Sequence, residues 1–193
     1  MSQTEISHSH KEWVKLIRSR VGGNWEVRVY YDDPKQHEIH IFTSSNESGV
    51  LAATVGLMDT ENLIAASGEE LRSEVIMDQR GHDSRLANIL STIAFYVIKD
   101  GWKIAPGIVF EDMVRMYIPE TELPHVMFVA PFQDPFRDLY RVTLSDRTIF
   151  PLVAIPISEA ESELARANAG RDLEDLWERK STDVLDWART SAI

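Results

Sequence analysis

The chain has 193 residues, 44% apolar and 26% charged, which suffices for one sizeable core and leaves no stretch that reads as a long disordered tail. Cysteine is absent, which excludes disulfides, thiolate metal centres, iron–sulfur clusters and cysteine nucleophiles. The net charge of −11 argues against direct nucleic-acid binding, which needs clustered Lys and Arg, and suits either a basic protein partner or simple solubility.

The first residues lack the basic start and apolar run of a signal peptide, and no apolar stretch nears the length of a membrane span, so a cytoplasmic protein without membrane contact is expected. From Ser9 to Val21, Trp13, Leu16, Ile17 and Val21 recur at helical spacing, with Ser9 as cap and Gly22-Gly23 as stop. Trp25, Val27, Val29 and Tyr31 then alternate with Glu26, Arg28 and Tyr30, the pattern of a half-buried strand. A shorter alternation at Ile39 and Ile41 should end in the polar run Thr43 to Ser48. Val50 to Leu57 is small and β-branched, as in a central strand covered on both faces, and Gly56 within it marks a bulge or close packing.

Glu70 to Asp78 reads as another strand. After Gly81, Leu86, Ile89, Leu90, Ile93, Ala94, Val97 and Ile98 form the broad face of the longest helix, capped by Asp83 or Ser84. Trp102 to Pro124 is dense in turns, with extended pieces expected near Ile108 to Phe110 and Met116 to Ile118. Val126 to Ala130 is a strand stopped by Pro131, and Leu139 to Leu144 with Thr148 to Ile155 should form a hairpin. Pro156 and Ser158 follow, and Glu161 stands three residues beyond Ser158, the capping-box spacing in which hydroxyl and carboxylate each bind the other's backbone N–H. That helix should run to about Asn168, break at Gly170 and resume through Leu173, Leu176 and Trp177, with a last amphipathic piece from Thr182 to Arg189. The expectation is a single domain over 1–193, with its core at about 24–178 and a helical extension at 179–193.

Motif chemistry is sparse. No phosphate-binding loop, dinucleotide fingerprint, nucleophile elbow or His-Glu-x-x-His pair occurs, and no cofactor or metal is expected. His37 and His40, three apart on a strand, point to opposite faces. Asp83, Glu111, Asp112 and Asp134 are scattered loop carboxylates, and no spacing joins any two of them. Arg72 and Glu74 share a strand face with Ile76 and so read as a pair that pins the packing or binds a ligand.

Five segments in a fixed order resemble the suppressor-of-fused domain family. They are Thr54-Val55-Gly56-Leu57-Met58-Asp59, Arg72-Ser73-Glu74-Val75-Ile76, Pro106-Gly107-Ile108, Met127-Phe128-Val129-Ala130-Pro131, and Ile155-Pro156-Ile157-Ser158-x-x-Glu161 followed by Gly170. They span Val50 to Leu176; Met58 departs from the family's frequent Ser, and Glu111 to Glu122 matches nothing. The resemblance implies an α+β fold, an α/β sandwich with a mixed, largely antiparallel sheet flanked by helices. It implies no catalytic residues, and it gives Gly56, Asp59, Arg72, Glu74, Pro156, Ser158, Glu161 and Gly170 structural roles. Stand-alone bacterial members look like immunity proteins, so it also implies binding to a toxin domain, here a basic one. Two other classes stand beside it: a hydrolase or metal enzyme built from His37, His40, His82 and Asp83, and a scaffolding subunit.

Overall fold

The computed structural model describes residues 6–64, 70–81 and 83–193. In chain order the elements are α1 (His8–Arg20), β1 (Asn24–Tyr31), β2 (Glu38–Asn46), β3 (Gly49–Val55), a 3-10 turn (Leu57–Asp59), β4 (Leu63–Ile64), β5 (Glu70–Leu71) and β6 (Val75–Gln79). They continue with α2 (Leu86–Asp100), β7 (Val109–Phe110), β8 (His125–Val129), β9 (Val142–Thr143), β10 (Thr148–Ile149), β11 (Leu152–Ile157), α3 (Glu159–Ala167) and α4 (Arg171–Lys180).

Seven strands form the central sheet in the order β1-β2-β3-β6-β11-β8-β7. Only β6 and β11 pair in parallel, so the sheet is mixed and largely antiparallel. Because side chains alternate across a strand, each central strand feeds two cores. Phe42, Ala53, Ile76, Met127 and Ile155 pack under Trp13 and Ile17 of α1 and Leu173 and Trp177 of α4. Ile41, Ala52, Met77, Phe128 and Ala154 pack under Leu86, Leu90, Ile93 and Val97 of α2. The chain thus adopts the expected α+β sandwich. No helix among the described residues is long and apolar enough to cross a membrane.

Several local expectations are corrected. Ser7, not Ser9, caps α1: its hydroxyl accepts the His10 N–H at 3.2 Å, while the His10 ring accepts the Ser7 N–H at 3.3 Å. Ser9 is buried and donates to Asp146 instead. β2 does not stop at its polar run, because Thr43 to Asn46 are paired with β3 and, as far as Ser45, with β1 as well. Glu70 to Asp78 is two strands, with Asn62 binding both the N–H and the C=O of Ser73 in the gap. Met116 to Ile118 is a helical turn, in which the Ile118 N–H reaches the Val114 carbonyl at 2.9 Å.

The hairpin pairs only Val142–Thr143 with Thr148–Ile149; past Pro151 the chain leaves it and enters the central sheet as β11. The 179–193 extension is not helical beyond Lys180. Isolated i,i+3 turns at Asp183–Asp186 and Asp186–Arg189 mimic the helical spacing, and Val184, Trp187 and Ala192 are buried against the two cores. The apolar face of β1 is not buried: Trp25, Val27, Val29 and Tyr31 are 43%, 36%, 40% and 48% exposed, and α1, which packs over β3, reaches this strand through the Arg18 side chain over the Trp25 ring.

Candidate functional site

The polar residues of the motif segments gather in two places. The first is the turn after β3. Gly56 adopts φ +109°, a backbone conformation that disfavours side chains, and swings the chain into Leu57–Asp59. Glu74, wholly buried, receives two amides of that turn, Gly56 N–H at 2.8 Å and Met58 N–H at 3.1 Å, with the Thr54 hydroxyl on its other oxygen. Burial pushes Glu74 up to about 7, and these three donors only partly offset it.

Arg72 and Glu74 do not face each other as a pair. Arg72 clasps the same turn separately, donating to the Met58 carbonyl at 2.9 Å and reaching Glu61 at 3.5 Å. Asp59 closes the turn against two cations or donors, the His10 ring at 3.0 Å and Arg147 at 2.6 Å. Desolvation acts against ionisation of Asp59, but His10 and Arg147 outweigh it and hold the carboxyl below its ordinary range. Arg147 also binds Asp146, so one network ties α1, the turn and the β9–β10 loop together.

The second place is the start of α3. Ser158 accepts the Glu161 N–H at 3.2 Å, and Glu161 returns a bond to the Ser158 N–H at 2.8 Å. The same buried carboxylate takes Arg189 at 2.8 and 3.0 Å, the Trp177 indole N–H at 3.1 Å and the Ala192 N–H at 3.1 Å. Here desolvation is overcome by Arg189 and the other donors, and Glu161 lies below the ordinary carboxylate range. Arg189 also donates to the Pro156 carbonyl, so the C-terminal strap is bolted to the β11–α3 corner. Gly170, at φ +82°, ends the α3–α4 link: a Cβ there would stand 3.0 Å from both Gly107 Cα and Met127 Sδ.

The remaining candidates lie apart. His37 binds Asp32 at 3.0 Å, His40 is half-buried within β2, and Asp83 forms a fork with Arg85 while accepting the Arg85 N–H. His82 lies outside the described residues. Glu111 pairs with Arg166 and Asp112 with Arg115. No group of three or more His, Asp or Glu among the described residues is set to hold a metal ion. Sequence reasoning passed over His125, which is buried between the Asp112 N–H at 3.0 Å and Glu159 at 2.9 Å. Arg189 also escaped it, and His10, which the sequence places in a mobile terminus, is instead buried on α1; each meets its acidic partner through the fold, so no local spacing announces it.

Several open surface features face solvent. One patch is the outer strand β1. Another is a cleft of about 700 Å³ between the β2–β3 turn and Pro135–Phe136, and a third, of about 650 Å³, is lined by Ile108, Pro131, Tyr140 and Phe150.

The suppressor of fused protein family model matches residues 33–190. Immunity protein YqcF of Bacillus subtilis (strain 168) is 32% identical over 191 residues, covering 97% of this chain and 99% of that protein. A suppressor-of-fused homologue from Neisseria gonorrhoeae superposes with a TM-score of 0.71 at 11% identity, over 96% of this chain and 93% of that one. A chain of the Sufu–Fu complex superposes with a TM-score of 0.51 at 13% identity, over 95% and 89%. With its motif segments assembled into two internal locks and its sequence matched across most of its length, this chain belongs to the suppressor of fused family.

Proposed function

We propose that this protein is an immunity protein, a non-enzymatic binder that neutralises a toxin polypeptide by direct contact. The observation that carries the reading is the nearly end-to-end 32% identity with immunity protein YqcF. Support comes from the chemistry of the interior. Glu74 and Glu161 are both buried and have their oxygens occupied by backbone, indole, hydroxyl or guanidinium donors, which suits them to holding the fold together. The net charge of −11 suits fast capture of a basic toxin domain by electrostatic steering.

The test is co-expression with candidate toxins, beginning with any encoded beside this gene, followed by purification of the pair. Growth is expected to be restored and the two chains to co-purify, with association slowing steeply as salt rises. Restored growth without a complex, together with toxin found chemically altered, would replace binding with enzymatic detoxification.

A further inference from the structure

β1 is an outer strand of the sheet and pairs with β2 in an unbroken ladder from Asn24 to Tyr31. Among the described residues no strand pairs with its other edge, which leaves a row of backbone N–H and C=O groups there. Outer strands are ordinarily blunted by proline, a bulge, brevity or charged side chains; β1 has eight residues with neither proline nor bulge, and its two charges, Glu26 and Arg28, are of opposite sign. One face shows Trp25, Val27, Val29 and Tyr31 to solvent; the other carries the Glu26–Arg28 ion pair, at 2.9 Å. Trp25 is held ready, stacked on Phe42 with the Arg18 guanidinium 4.6 Å from its ring centre.

We propose that β1 pairs antiparallel with β1 of a second copy of this chain about a twofold axis at Val27, fusing two seven-stranded sheets into one. In antiparallel pairing, directly opposed residues share a face, so the charges on the strand select the register. With the axis at Val27, Glu26 opposes Arg28 of the second copy and Arg28 opposes its Glu26, giving two cross-strand ion pairs. On the apolar face Val27 meets Val27, and Trp25 meets Val29 in both directions. Moving the axis one residue forward opposes Arg28 to Arg28, and moving it one residue back opposes Glu26 to Glu26. The sequence Trp25-Glu26-Val27-Arg28-Val29 is therefore self-complementary about its central residue.

The test is sedimentation of the full chain from micromolar to millimolar concentration. The wild type is expected to show a reversible monomer–dimer equilibrium. Arg28→Glu, which opposes like charges twice, should weaken the dimer about tenfold or more. The double exchange Glu26→Arg with Arg28→Glu should restore it, a recovery that only this register provides. Val27→Glu should give a monomer whose circular dichroism, and whose melting at concentrations where the wild type is itself monomeric, match the wild type, since Val27 is 36% exposed. A wild type that stays monomeric throughout, or a double exchange that fails to recover, overturns the proposal. So does a monomeric wild type in which Val27→Glu abolishes capture of the co-expressed toxin, an outcome that assigns the edge to the toxin.

Discussion

Glu74 and Glu161 are both fully buried, and the molecule treats them in opposite ways. At the turn after β3, Glu74 is answered by two amides and a hydroxyl, with no cation in contact among the described residues, and burial lifts it to about 7. At the β11–α3 corner, Glu161 is answered by Arg189 as well as by amides and an indole, and it stays ionised below the ordinary range. Hydrogen bonds from neutral donors therefore hold a turn in shape but leave the desolvation of the charge only partly offset. A guanidinium 28 residues further along the chain closes that gap and ties down the C-terminal strap as well.

The largest effect should come from removing the cation. Arg189→Met keeps some bulk but leaves Glu161 buried without its counter-charge and strips the Pro156 carbonyl of a donor. Breaking a buried pair from one side costs about 3–5 kcal/mol. Urea unfolding should show that loss, and Glu161 in the variant should titrate above its ordinary range. A loss under about 1 kcal/mol, the size of an exposed pair, would mean that water reaches the corner and that the contrast with Glu74 is false.

The next effect is a pH dependence. Glu74 binds its proton more tightly folded than unfolded, so its contribution is complete below pH 4.5 and disappears as pH rises through about 7. The shift from 4.5 to about 7 corresponds to about 3 kcal/mol lost across that window. Glu161 has the opposite sign: its contribution is present above the ordinary carboxylate value and is lost only as pH falls through its depressed value. Urea midpoints measured from pH 4.5 to 8 should therefore decline in the wild type and flatten in Glu74→Gln, whose neutral amide can still accept the Gly56 and Met58 N–H groups. A decline that persists in Glu74→Gln would assign the titration to another group.

The sequence made one of these sites far more legible than the other. Ser158 and Glu161 are three residues apart on one helix, so their reciprocal bonds follow from local spacing, and the structure has them as read. Arg189 is invisible in that spacing because it arrives along a strap whose isolated turns imitate a helix. Period-two spacing places Arg72 and Glu74 on one strand face, as a pair would be. The backbone leaves the ladder between β5 and β6, and each side chain binds the turn on its own. The central strands were readable because covered strands are apolar on both faces. β1 misled for the reverse reason: its alternation is that of a half-buried strand, and alternation cannot distinguish an apolar face covered by the same chain from one left open.

The smallest effect compares two capping boxes. Ser7 with His10 opens α1, and Ser158 with Glu161 opens α3. Replacing a capping serine by alanine costs about 1 kcal/mol where water can reach the freed amide. Ser7→Ala should cost about that, because Ser7 is only half-buried and its bond to the His10 N–H is partly open to water. Ser158 is buried, its hydroxyl also meets Ser191 at 2.8 Å, and the amide it would free belongs to Glu161 itself. Ser158→Ala should therefore cost nearer 2 kcal/mol, since a buried unsatisfied donor adds its own desolvation. Equal losses in the two variants would show that the Glu161 amide finds water once Ser158 is gone. The ionised state of Glu161 would then owe as much to solvent as to Arg189.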